Sequence, residues 1–250
     1  MFRRALMATA LALTWSAASA QLLGVDRTVP TSGGGGGGVF SLIGSIEGSY
    51  ADSNNGGVGA PTPNTTQTAN LSTTGAKLLV VTYSGGSSIS SIVSALGNLL
   101  TCLTPQTVSA GPGINEICYT LNPVTGLDKA TATGTGLYAN VTIAAYGDTG
   151  AGPTFDKQTG AVSGTSPAAP GSATPTNSNA LVIAGIMGIT SGGATVTTPT
   201  GYSLAASQGA NGYAGGQAYQ IQTTPSSTNP SWAITNVTSG MAATLAVFSP

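Results

Sequence analysis

A period of two runs through much of this sequence, and it leaves few architectures open. Ala139, Val141, Ile143 and Ala145 alternate with Asn140, Thr142, Ala144 and Tyr146; Tyr219 and Ile221 alternate with Gln220 and Gln222; Trp232 and Ile234 alternate with Ala233 and Thr235. Successive side chains of a strand point to opposite faces, so such stretches turn one apolar face to a core. Leu78 to Val81 and Leu181 to Met187 are instead unbroken apolar runs, the pattern of central strands covered on both faces. Val39 to Ile46 offers a first strand, Asp52 to Thr68 a surface loop or extended edge, and only Ile89 to Leu96 has the spacing of a helical turn. The expected class is all-β, an antiparallel β-sandwich.

The pattern also repeats. Ala76 to Val81 matches Asn179 to Ala184, Ile117 to Leu121 matches Gln217 to Ile221, and Val141 to Tyr146 matches Ala243 to Phe248. Leu181 follows Leu78 by 103 residues, Tyr219 follows Tyr119 by 100, and Phe248 follows Tyr146 by 102. Five short strands in one half bury little core alone. The expectation is therefore two pseudo-duplicated halves interlocked in a single sandwich over 39–250, with Asp148 to Ser178 as the crossing between them.

Ahead of this lie a basic pair, Arg3 and Arg4, a short apolar stretch from Ala5 to Trp15, and the small residues Ala18-Ser19-Ala20. That is the order of a secretory signal over 1–20, with Gln21 starting the mature chain. The apolar stretch is too short to span a bilayer, so release to the outside or the cell surface is expected. Residues 21–38 end in six consecutive glycines, Gly33 to Gly38, and read as a flexible tether. They lack the Lys-Ser/Thr and the following helix of a phosphate-binding loop.

Charge is scarce: six Lys and Arg, seven Asp and Glu, and no His in 250 residues. Without Arg3 and Arg4 the balance is near −3. Clustered cations are what drive binding to nucleic acid and to anionic lipid, so neither is expected as a partner. The missing imidazole removes Ser-His-Asp and Cys-His catalysis and the usual zinc and copper ligand. Cofactors and metals are expected to be none.

The two cysteines, Cys102 and Cys118, suit a disulfide in an oxidising compartment. If Leu99, Thr101 and Leu103 face one way, and Ile117, Tyr119 and Leu121 face the core, both sulfurs lie on the same outer face of neighbouring strands. Closing such a loop stabilises by about 3 kcal/mol.

The acids are Asp26, Glu47, Asp52, Glu116, Asp128, Asp148 and Asp156. A glycosidase needs two carboxylates flanking a bond in a cleft, but Asp128 beside Lys129 and Asp156 beside Lys157 read as turn chemistry. Asp52 to Gly56 has the oxygen-rich character of a calcium loop without EF-hand spacing. Asp148 and Asp156 would serve calcium only if folding joined them. Asn64, Asn70, Asn140 and Asn236 fit the N-glycosylation rule. Tyr83, Tyr138, Tyr202, Tyr213 and Trp232 are the rings best able to stack on a sugar. Of these, Tyr213, in the Gly-rich stretch Gln208 to Gly216, is the preferred ligand contact.

The segments Ala76 to Val81, Leu121 to Gly126, Asn179 to Ile183, Gln217 to Gln222 and Ala246 to Phe248 give the chain a resemblance, from Ala76 to Phe248, to the jelly-roll-like β-sandwich modules of phage virion proteins and uncharacterised bacterial secreted proteins. The resemblance implies a fold and a surface role in assembly or attachment, and marks no site. The signal favours the secreted type. The expected function is thus a non-catalytic structural or adhesion module, with a protein or glycan of a cell, filament or particle surface, or a further copy of itself, as partner. A carbohydrate-binding module is the second expectation and a polysaccharide-degrading enzyme the third.

Overall fold

The computed structural model describes residues 38–49, 65–86, 89–109, 111, 113–134, 139–209 and 212–250. The stretches read above as a signal and a tether, up to Gly37, and Asp52 to Gly56, Asn64 and Tyr138 lie outside the described residues. What is described is all-β, without a helix, and every strand pairing is antiparallel.

The first half contributes β1 (Phe40–Ser49), β2 (Thr65–Gln67), β3 (Leu71–Ser72), β4 (Leu78–Gly85), β5 (Ile89–Ser94), β6 (Thr101–Cys102), β7 (Gln106–Val108), β8 (Gly113–Leu121), β9 (Leu127–Asp128), β10 (Ala130–Gly134) and β11 (Ala139–Asp148). The second contributes β12 (Thr154–Ser163), β13 (Ala180–Thr190), β14 (Val196–Thr197), β15 (Ser203–Gly209), β16 (Tyr213–Gln222), β17 (Ala233–Ile234) and β18 (Val237–Ser249).

Pairing is nested. In the first half β1 pairs β11, β2 pairs β10, β3 pairs β9 and β4 pairs β8. In the second, β12 pairs β18, single bridges join Ala168 to Trp232 and Ala173 to Thr228, and β13 pairs β16. Two large sheets of like connectivity result, β1-β11-β4-β8-β6 with β7 also on β8, and β12-β18-β13-β16-β15. Their registers coincide at the repeated residues: Leu78 lies opposite Tyr146 and Leu121, and Leu181 opposite Phe248 and Ile221.

Residues 35–250 form one compact unit, and within it no described strand crosses from one large sheet into the other. Each half instead covers its own sheet. Leu71, Ala130 and Ala132, from the small sheet β2-β10-β5 and the β3-β9 pair, pack on Leu79, Val81, Tyr83, Val141 and Ile143 of the first large sheet. Trp232, Ile234 and Ala168 do the same on Ala184, Ile186, Met241 and Ala243 of the second. Between the large sheets lie Phe40, Leu78, Val80, Ile117, Tyr146, Leu181, Ile183 and Phe248. The order is four layers, which is why every residue of β4 is buried and β13 is buried along nearly its whole length. Their unbroken apolar runs report that double cover.

The far end of the central interface is polar and very close. Thr244 Oγ1 donates to Asn115 Oδ1, Asn115 Nδ2 donates to Ser84 Oγ at 2.9 Å and Tyr83 O at 3.1 Å, and Ser84 Oγ donates to Ile186 O at 2.8 Å. Glycine is required for this approach: a Cβ on Gly215 would stand 2.3 Å from Ser84 Cβ, and one on Gly185 would stand 2.8 Å from Asn115 Oδ1.

Three local expectations change. Asp148 to Ser178 is not a plain crossing, because β12 within it forms an edge of the second large sheet. Ile89 to Leu96 forms β5 and a turn rather than a helical turn. The face carrying the two sulfurs is the one opposite Ile117, as face counting gave, and it is outer only at its edge: Cys102 is exposed, whereas Cys118 is fully buried under the small sheet.

Candidate functional site

Cys102 and Cys118 sit directly opposite one another on β6 and β8, with Cα atoms 3.9 Å apart, and are joined in a disulfide. The Glu116 carboxylate lies with the two sulfurs in the one grouping of potential metal ligands found among the described residues, all ligand atoms within 4.8 Å. Sulfurs bonded to each other offer no thiolate to a cation, which leaves Glu116 as a lone carboxylate. Burial pushes its carboxyl above the ordinary value.

The other described acids are held in separate local structures. Asp128 is fully buried and accepts from Ser94 Oγ at 2.7 Å, Asn98 Nδ2 at 2.8 Å, Lys129 N at 2.8 Å and Leu96 N at 3.1 Å. Asp148 accepts from Gly150 N at 3.0 Å. Asp156 accepts from Thr176 N at 2.7 Å and Thr176 Oγ1 at 2.8 Å, with Lys157 Nζ at 3.6 Å. Glu47 lies on β1 opposite Thr142. A shallow depression between the sheets, lined by Leu103, Thr104, Ile117, Gln158, Thr159, Thr244 and Leu245, has no room for a ligand and no carboxylate in its lining.

No protein-family model, curated protein or solved structure matches the chain.

The aromatic residues serve the layers. Trp232 is fully buried under the second large sheet. Tyr83 is buried with its hydroxyl donating to Gly86 O at 2.8 Å, and Tyr202 bonds Thr228 Oγ1 at 2.8 Å. Tyr213 does not stand in a loop: Gln208 and Gly209 close β15, and Tyr213 opens β16 opposite Ile189. Its ring is half-buried, and burial raises its phenol above the usual value. Among the described residues no aromatic side chain is exposed. Of the described sequons, Asn70 and Asn236 are exposed, whereas Asn140 is 3% exposed and its Nδ2 points to Tyr213 O.

The structure thus joins the two cysteines and brings Glu116 beside them, and leaves Asp148 and Asp156 in separate loop caps. Sequence reading missed the Asp128 cluster. Its partners come from a loop some thirty residues away, and only the Asp-Lys turn signal was local. It also missed the apolar residues Leu99, Val124 and Leu127, which stay exposed where the strand pattern would have buried some of them.

Proposed function

We propose that this protein is a non-catalytic, exported structural or adhesion unit built from two tandem jelly-roll-like modules, acting through its outer surface on a cell, filament or particle. The nested pairing of first strand with last and second with last but one is the connectivity of a hairpin rolled into two facing sheets, an arrangement used by capsid and lectin domains. Its occurrence twice, at matching registers, supports duplication of one module. The observation that carries the reading is how the interior is filled. At the polar end of the interface Asn115 accepts from Thr244 of the facing sheet and donates to Ser84, so these side chains are spent on holding the two large sheets together. Function then falls to the outside.

The test is placement together with turnover. Immunogold labelling of the intact producer or particle should find the protein on exterior surfaces. Incubation of the mature chain with a polysaccharide panel should release no reducing ends. Label confined to the cytoplasm, or turnover that vanishes in Glu116→Gln or Asp156→Asn, overturns the reading. Glycan recognition is the second reading, centred on Tyr213. Binding on a glycan array that is lost in Tyr213→Ala would favour it, and an array without binding removes it.

A further inference from the structure

Glu116 differs from the other described acids. The carboxylates of Asp128, Asp148 and Asp156 are hydrogen-bonded, whereas the Glu116 carboxylate is half-buried and takes part in no hydrogen bond or ion pair among the described residues. It stands two residues before Cys118 on β8, hence on the same face of the strand. Its oxygen and the two sulfurs all lie within 4.8 Å of one another, the reach of a direct or single-water proton transfer.

The fold does not demand this arrangement. At the spacing of 100 residues that relates β8 to β16, Glu116 corresponds to Gly216 and Cys118 to Ala218. The second large sheet has like connectivity without either group.

The two sulfurs are also unequal. Cys102 is exposed on the two-residue β6, and Cys118 is fully buried against Leu79, Val81 and Ile143. A disulfide is opened by a thiolate that reaches one sulfur and expels the other. Exposure selects Cys102 for attack, so the departing charge would fall on Cys118 in apolar surroundings, which is costly unless a proton meets it. Glu116 is placed to supply that proton, and burial favours its protonated form. The ionisable side chain opposite it on β4 is Tyr83, whose hydroxyl donates to Gly86 O at 2.8 Å. The small sheet β2-β10-β5 over this face carries no ionisable side chain, and β6 and β7 add none besides Cys102.

We infer that Cys102 and Cys118 form a thiol–disulfide exchange site for an external dithiol, with Cys102 as the attacked sulfur and Glu116 as proton donor to the departing Cys118. One thiolate of the dithiol bonds to Cys102 Sγ as the bond between the two cysteine sulfurs breaks. The electron pair leaves on Cys118 Sγ, which takes the Glu116 proton. The second thiol of the dithiol returns a proton to Glu116 and displaces Cys102, which takes its own proton from water. Two electrons pass to the protein, and the dithiol becomes a cyclic disulfide. The exchange unpins β6 from β8, so this edge of the first module responds to the redox state around it whatever the outer surface binds.

Reduction of the oxidised mature chain by dithiothreitol, followed by mass from about pH 5 to about pH 9 and divided by the thiolate concentration, tests the site. The normalised wild-type rate should fall about a hundredfold as Glu116 loses its proton, the lower end of what a positioned general acid contributes. Glu116→Gln should be flat at the lower rate, a shape that a change in stability alone would not produce. With glutathione in place of the dithiol, acid-quenched peptide mapping should find the adduct on Cys102. Parallel profiles for wild type and Glu116→Gln, an adduct on Cys118, or a rate independent of dithiol concentration overturns the assignment.

Discussion

Asn115 ties the two large sheets to each other. Its side chain ties Ser84 and Tyr83 of the first large sheet to Thr244 of the second. Asn115→Leu removes these bonds and leaves Thr244 Oγ1 buried without its partner, while Ser84 Oγ keeps its bond to Ile186 O, so it should destabilise by about 2 kcal/mol in denaturant unfolding. Gly215→Ala should cost a comparable amount, because its Cβ would displace Ser84 on a facing backbone. Glu116 carries an opposite sign. Burial raises its folded carboxyl above the unfolded value, so the folded state holds that proton more tightly, and stability is lost as pH rises from the unfolded pKa through the folded one. Glu116→Gln should therefore raise the unfolding midpoint at neutral pH, with the gain disappearing in acid below the carboxylate range. None of this was visible in the residue string. The sequence singled out Glu116 only as one of seven acids and Asn115 not at all, because only the facing sheet and the disulfide give them their surroundings.

At the scale of elements, the strands with a strong pattern were legible and the weak ones were not. Leu78 to Val81 and Leu181 to Met187 announced two doubly covered central strands. The offsets of 100 to 103 residues corresponded to registers that the sheets adopt. β12 stayed hidden, because Thr154–Ser163 has few apolar residues and is only partly buried along an edge. The small covering strands are two to six residues long, too short to show a period. That is why the covered face of Cys118 was read as an outer one. The disulfide between β6 and β8 pins a very short edge strand to a central one. Reducing it, or Cys102→Ser/Cys118→Ser, should lower stability by about 3 kcal/mol while the far-ultraviolet spectrum remains that of a sheet protein.

At the scale of the molecule, four layers and almost no charge define the solution behaviour. Without histidine, the stability should be flat with pH across the neutral range. It should fall in base. Burial, then neighbouring Tyr213 and Glu116, push the Tyr83 phenol far above its ordinary value, and burial does the same to Tyr146. Both stay protonated when folded and ionise when unfolded above a pH of about 10, so the unfolded state gains there. A pH series of thermal unfolding should show that alkaline drop.

The central claim, that two like modules each cover one sheet and then pack face to face, is tested most directly by native-state hydrogen exchange resolved by peptide. Double cover requires Leu78–Gly85 and Ala180–Thr190 to be the slowest segments of the chain, with protection close to the global stability in both. If either one exchanges as fast as the edge strands Thr101–Cys102 and Ser203–Gly209, the four-layer arrangement is wrong.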